Sequence, residues 1–231
     1  MYEWNNKFLI AGVSGTGKTY QALWLQSMYI RQNKRSYYVY LSDNSRDYNK
    51  DNHIPAIRPK NLGYKLISYN SEHAAKKWKW ADILRQHNKL YIETGNLLDT
   101  EVAQLVNDLS LAFWSLGHGL FVIDEAWAFL NRMNPPKEYE RLARGGRKIG
   151  VDLIASTQRV VDIYPNILSQ FNVIVSFRLT EINDKERLAR YFDPVNGHEA
   201  KYVISTLPQG HYLIKLTETG EQEKNTTLGV K

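Results

Sequence analysis

Cysteine is absent from all 231 residues. That excludes disulfide staples, thiolate metal sites and cysteine nucleophiles, and it leaves the redox compartment open. No apolar run approaches the roughly 18 uninterrupted residues of a membrane-spanning helix, so no span is expected. The opening Met1-Tyr-Glu-Trp-Asn-Asn-Lys7 lacks the charged-then-apolar build of a secretory signal. A soluble, cytoplasmic protein is the default expectation. Internal repeats and low-complexity tracts are also missing, and the 7 prolines are scattered. The net charge of +6 and pI near 9.3 favour polyanion partners, but only weakly, because many enzymes with other substrates are as basic.

The chain is long enough for one α/β domain with a substantial core. Phe8–Ala11, Ser36–Leu41, Tyr64–Tyr69, Leu90–Glu93, Leu120–Ile123, Val151–Ser156, Asn172–Arg178 and Tyr212–Leu216 read as short apolar strands. Between them, Thr19–Ile30, Asp99–Leu116, Pro136–Lys148 and Asn183–Phe192 read as helices. In the second of these, Val102, Leu105, Val106, Leu109, Ala112, Phe113 and Leu116 recur at three- and four-residue steps before Gly117. Residues 42–62 are polar, contain Pro55 and Pro59, and read as a long surface loop. Residues 220–231 read as a frayed polar tail. Apolar strands alternating with helices predict an α/β fold with a mostly parallel sheet covered on both faces.

Gly12-Val-Ser14-Gly15-Thr16-Gly17-Lys18-Thr19 fits G-x-x-x-x-G-K-[S/T] at every fixed position, and it follows a predicted strand and opens a predicted helix. Gly12, Gly15 and Gly17 let successive backbone N–H groups turn toward phosphate oxygens that side chains would block. Lys18 brings charge to the β- and γ-phosphates, Thr19 offers a hydroxyl to magnesium, and the helix directs its positive end at the same anion. The expected ligands are therefore ATP, bound by residues 12–19 and Tyr20, and Mg2+.

Leu120-Phe-Val-Ile-Asp124-Glu125 is an apolar strand ending in two carboxylates, at the strand end where ligands of parallel sheets bind. Asp124 is expected to hold the metal with Thr19, and Glu125 to polarise the attacking water. Without the phosphate loop the same pair would read as a helix cap. The strand at 151–156 runs into Ser156-Thr-Gln158, and a polar group there can sense the γ-phosphate; read alone, Gln158 is equally an exposed loop residue. Arg144 and Arg147 are of the type that stabilises transition-state charge from a neighbouring subunit, or a solvated basic face.

Together, Gly12–Thr19, Ile123-Asp124-Glu125-Ala126, Ala143-Arg-Gly-Gly-Arg147-Lys-Ile-Gly-Val, Ser156-Thr-Gln158-Arg, Ile167–Leu179 and Leu207-Pro-Gln-Gly210-His-Tyr-Leu resemble the FtsK–HerA superfamily, closest to its HerA-like and viral genome-packaging branches. The resemblance covers residues 7–20 and 118–216, and residues 42–98 match no part of it. It implies one RecA-like ASCE P-loop ATPase domain over 1–231, with the strand ending at Gln158 between the phosphate-loop strand and the Asp124 strand. It also implies a hexameric or pentameric ring on double-stranded DNA, with Arg144, or else Arg147, as the trans-acting finger. The β-barrel of HerA helicases and the membrane spans and winged helix of FtsK are not seen, which suits a viral packaging ATPase docking at a capsid vertex or portal. Two alternatives stay open: a morphogenesis or secretion ATPase like the zonula occludens toxin family, and a nucleotide switch that pumps nothing. Lys76-Lys77-Trp78-Lys79-Trp80 reads either as a single-strand-binding stretch or, preferably, as a helix segment with a tryptophan against the core.

Overall fold

A computed structural model describes residues 6–32, 34–43, 55–193 and 197–216 and the backbone of Gln222–Thr226. Its strands are β1 (Lys7–Ala11), β2 (Tyr37–Ser42), β3 (Lys65–Tyr69), β4 (Lys89–Thr94), β5 (Gly119–Ile123), β6 (Asp152–Thr157), β7 (Val173–Ser176), β8 (His211–Leu216) and β9 (Gln222–Thr226). They form one nine-stranded sheet in the order β3-β4-β2-β5-β6-β1-β7-β8-β9. From β3 through β7 every neighbouring pair is parallel, while β8 and β9 close the edge antiparallel. The placement of β6 between β1 and β5 is the one the superfamily resemblance implies.

The helices are α1 (Lys18–Arg31), α2 (Ser71–Ala74), α3 (Trp80–Gln86), α4 (Asp99–Leu116), α5 (Ala126–Phe129), α6 (Lys137–Gly145), α7 (Pro165–Leu168), α8 (Ile182–Phe192) and α9 (His198–Thr206). Alternation along the strands divides them into two apolar layers. Phe8 and Ile10 of β1 pack with Ala22, Leu23, Leu25 and Tyr29 of α1 on one face. Leu9 and Ala11 face the other way, into the layer built by α3, α4, α6, α8 and α9. Strands buried on both faces carry no polar alternation, and for that reason they read as continuous apolar runs. At the N-terminal edge of the sheet, Arg35 pairs with the buried Asp152. Burial pushes the Asp152 carboxyl up to about 6, with Arg35 pulling it back down.

Three sequence expectations need correction. The helix expected over 136–148 ends as an α-helix at Gly145 and continues as a 3-10 turn over Gly146–Ile149; paired glycines are poor α-formers. The tail expected to fray from 220 carries β9, which pairs with β8 in the backbone, and its sequence Gln-Glu-Lys-Asn-Thr has no apolar signature. The helices α2, α3 and α9 were not foreseen, because they are short or carry few apolar positions. Residues 44–54 of the expected loop, and 217–221 and 227–231 of the tail, lie outside the described residues.

The basic-aromatic stretch packs its tryptophans against the core as expected, but it is not the expected helix segment: residues 76–79 are irregular and only Trp80 opens α3. Trp80 is 2% exposed, Trp78 stacks on it at 4.9 Å, and Tyr69 lies 5.8 Å from both rings. Lys76, Lys77 and Lys79 stay in solvent. Trp80→Ala should therefore cost about 3–5 kcal/mol in denaturant unfolding, while Lys76→Ala and Lys77→Ala should stay within about 0.5 kcal/mol of wild type. An unchanged unfolding midpoint for Trp80→Ala would refute the core assignment.

Candidate nucleotide site

Where β1 ends, the chain is gripped from both sides. The Gly12 N–H donates to the Thr157 carbonyl at 3.1 Å and the Val13 N–H to the Arg178 carbonyl at 2.9 Å, tying the loop to the ends of β6 and β7. A Cβ on Gly12 would come within 2.6 Å of Phe177 Cβ and 2.8 Å of Thr16 Oγ1, so only glycine lets the loop pass so close. Gly15 and Gly17 turn the loop with φ of 77° and 112°. Ser14 and Gly15 are exposed at its tip. Thr16 Oγ1 and Lys18 Nζ both donate to the Val13 carbonyl, at 2.7 and 3.1 Å. Burial pushes the Lys18 ammonium below its ordinary range, opposed by the charges of Glu125 and Asp124. Tyr20 packs half-buried against the α1-side layer, and burial raises its phenol.

Asp124, only 3% exposed, stands one residue past β5. Its Oδ2 accepts from Tyr40 Oη at 3.2 Å and Thr19 Oγ1 at 3.3 Å. Its Oδ1 accepts from Ser156 Oγ and from the Glu125 N–H at 3.1 Å. Register explains the company: Ile123 pairs with Ala155 on β6 and with Leu41 on β2, so Ser156 and Tyr40 flank the carboxylate. Tyr40 is held in turn by Tyr91 of β4, stacked at 5.0 Å and 8°.

Cis ligands of an octahedral magnesium lie about 3 Å apart, given metal–oxygen bonds of about 2.1 Å. The 3.3 Å between Thr19 Oγ1 and Asp124 Oδ2 fits such a pair. Among the described residues no group of three or more His, Cys, Asp or Glu is placed to hold a metal.

Glu125 is half-buried beside Asp124. Burial raises its carboxyl, Lys18 lowers it, and the Asp124 charge raises it again. Trp127 Nε1 donates to Glu125 Oε2 at 3.0 Å. Ala11 pairs with Thr157, so Gln158 leaves β6 directly beside Gly12, half-buried. The structure therefore gathers residues 12–19, Asp124, Glu125 and Gln158 at the C-terminal edge of the sheet.

Arg144 and Arg147 are not brought there. Lys7, the first residue of β1, donates its Nζ to the Ala143 carbonyl at 2.9 Å, and the His118 N–H donates to Ile149 at 2.8 Å. Both contacts fix this segment at the N-terminal edge, and β6, six residues long, spans the sheet with ends roughly 17 Å apart. Arg144, 60% exposed, pairs with Glu140 on its own helix.

Three contributing side chains were not anticipated, Tyr40, Trp127 and Gln209, and Ser156 was read only as part of a polar strand end. Gln209 Nε2 donates to the Gly15 carbonyl at 3.1 Å, linking the turn before β8 to the phosphate loop. The partners of Tyr40 and Ser156 follow from strand order and register, which local sequence patterns do not carry.

A scan of family models gives no match, and no curated protein matches in sequence. Solved structures do match. The genome packaging NTPase B204 from Sulfolobus turreted icosahedral virus 2, in complex with ATP-gammaS, superposes with a TM-score of 0.69 at 20% identity, covering 98% of this chain and 100% of that one. VirB4 of Thermoanaerobacter pseudethanolicus gives 0.68 at 13% identity, covering 97% and 89%. The bacterial conjugative coupling protein TrwB gives 0.64 at 11% identity, covering 96% and 84%. Among the described residues no helix is long and apolar enough to cross a membrane. The chain has the RecA-like P-loop NTPase fold, mostly parallel and flanked by helices, that these proteins share.

Proposed function

We propose that the chain is an ATP-hydrolysing motor that translocates double-stranded DNA in the packaging of a viral genome. The observation that carries the ATPase reading is the convergence of Thr19 and the hydroxyl-locked Asp124 beside a phosphate loop, with Glu125 next to Lys18. The DNA reading is supported by likeness to a packaging NTPase over that protein's whole length, at a low identity of 20%.

In this reading the loop N–H groups and Lys18 hold the β- and γ-phosphates, and Thr19 and Asp124 would hold a magnesium ion. Such an ion would supply positive charge to the phosphate oxygens. Glu125 accepts a proton from the attacking water, and Gln158 orients that water from the end of β6. Burial raises the Glu125 carboxyl, and Lys18 lowers it. Arg144, or Arg147 beside it, sits too far from its own phosphate loop to serve it. Either can act only on a neighbour in a ring.

Glu125→Gln should retain ATP binding and lose hydrolysis by about two decades or more; wild-type turnover would remove Glu125 as the base. ATPase rate should rise with protein concentration and with duplex DNA, and the DNA effect should vanish at high salt. A concentration-dependent rate indifferent to DNA would turn the assignment toward a protein-secreting ATPase, and a very slow rate toward a switch. Arg144→Ala, titrated into wild type, should depress activity more steeply than its mole fraction; a linear decline would exclude it as a trans finger.

A further inference from the structure

Glu125, two residues past the end of β5, is where the chain reverses, and it does so with φ 49° and ψ 50°. That left-handed conformation is unfavourable for a side-chain-bearing residue, so the surrounding contacts hold it in place. Its carbonyl accepts the Ala128 N–H at 2.9 Å, which starts α5 and folds Trp127 back over the Glu125 side chain. There the Trp127 indole N–H meets Oε2 at 3.0 Å. The ring is backed from the segment after β6: the Arg159 guanidinium lies 5.8 Å from its centroid and is itself tied to Asp162 at 2.7 Å. A carboxylate held at one oxygen by a rigid, half-buried donor keeps its other oxygen in a fixed direction. Glu125 also lies within electrostatic reach of Lys18 in the phosphate loop.

We infer that Trp127 is a positioning residue for hydrolysis, whose indole N–H fixes Glu125 Oε2 so that the second carboxylate oxygen addresses the attacking water. The inference rests on the proposed role of Glu125. It also gives the sequence Asp124-Glu125-Ala126-Trp127 a reason for the tryptophan, which neither the apolar layers nor the phosphate loop requires. The Arg159 contact makes the segment just after β6, which also carries Gln158, a neighbour of the same device.

The test is Trp127→Phe, which keeps a ring against Arg159 and removes only the donor. Turnover should fall about tenfold while KM for ATP stays within about twofold, since a positioned base acts in the transition state and not in binding. In protein carrying 15N-labelled tryptophan, the indole cross-peak missing from Trp127→Phe identifies Trp127, and that peak should move in Glu125→Gln. Full turnover in Trp127→Phe with Glu125→Gln inactive overturns the inference, as does a raised KM at unchanged turnover. An indole peak that Glu125→Gln leaves in place overturns it too, whatever the stability of the phenylalanine variant. Wild-type turnover in Glu125→Gln would instead strike at the base assignment on which the inference stands.

Discussion

Burial of the Asp124 carboxylate is the constraint around which the rest of this site is arranged. An ionised carboxylate taken out of water costs several kcal/mol unless hydrogen bonds replace its hydration. Here the replacements come from Thr19 on α1, Tyr40 on β2, Ser156 on β6 and the Glu125 N–H. Each donor fixes the end of a different element to the same atom pair. The sheet order β2-β5-β6-β1 is therefore more than a packing arrangement, since a different neighbour for β5 would leave the charge unsatisfied. Tyr40 is steadied by Tyr91, which extends the constraint one strand further out.

Much of this was legible because the fold's central strands are covered on both faces and read as apolar runs, and because the phosphate loop is a local motif with its mechanism in seven consecutive peptide bonds. Asp124 and Glu125 were legible as the polar end of such a run. Tyr40 was not, since a tyrosine in an apolar strand reads as core, and only the pairing of Leu41 with Ile123 reveals that its hydroxyl reaches a carboxylate. Ser156 was seen as a polar strand end, but its partner depends on the register with β5. The strand β9 escaped for the opposite reason: backbone pairing at a sheet edge demands no side-chain pattern at all. Trp78 and Trp80 show how a charged surface run conceals a core. The lysines interrupt the apolar period, yet the two rings stack inside it.

The two edges of the sheet carry different duties. Parallel strands place every C-terminal end on one side, and with them the phosphate loop, Asp124, Glu125 and Gln158. The N-terminal edge holds the Arg35–Asp152 pair, the Lys7 contact with Ala143, and the arginines of α6 and the following turn. In the proposed ring, a group that completes a neighbour's site would have to be unable to reach its own, and the depth of the sheet would provide that separation. Arg144 meanwhile pairs with Glu140, an exposed contact of the kind worth at most about 1 kcal/mol, so giving it up to a neighbour would cost little.

The phosphate loop itself is balanced rather than rigid. One carbonyl, that of Val13, accepts both the Thr16 hydroxyl and the Lys18 ammonium, while burial disfavours the charge on Lys18 and the two carboxylates favour it. A phosphate oxygen is a stronger acceptor for an ammonium than a neutral carbonyl, because the bond is charge-assisted on both sides. Transfer of Lys18 from Val13 to a phosphate would thus release the loop carbonyl and strengthen the new bond in one movement. Gln209 reaches the same loop at Gly15 from the turn before β8. Any adjustment of the loop is therefore felt on the antiparallel side of the sheet, remote from Asp124. The lysine, the loop and that turn form a second linkage beside the carboxylate, meeting it only where the phosphates lie.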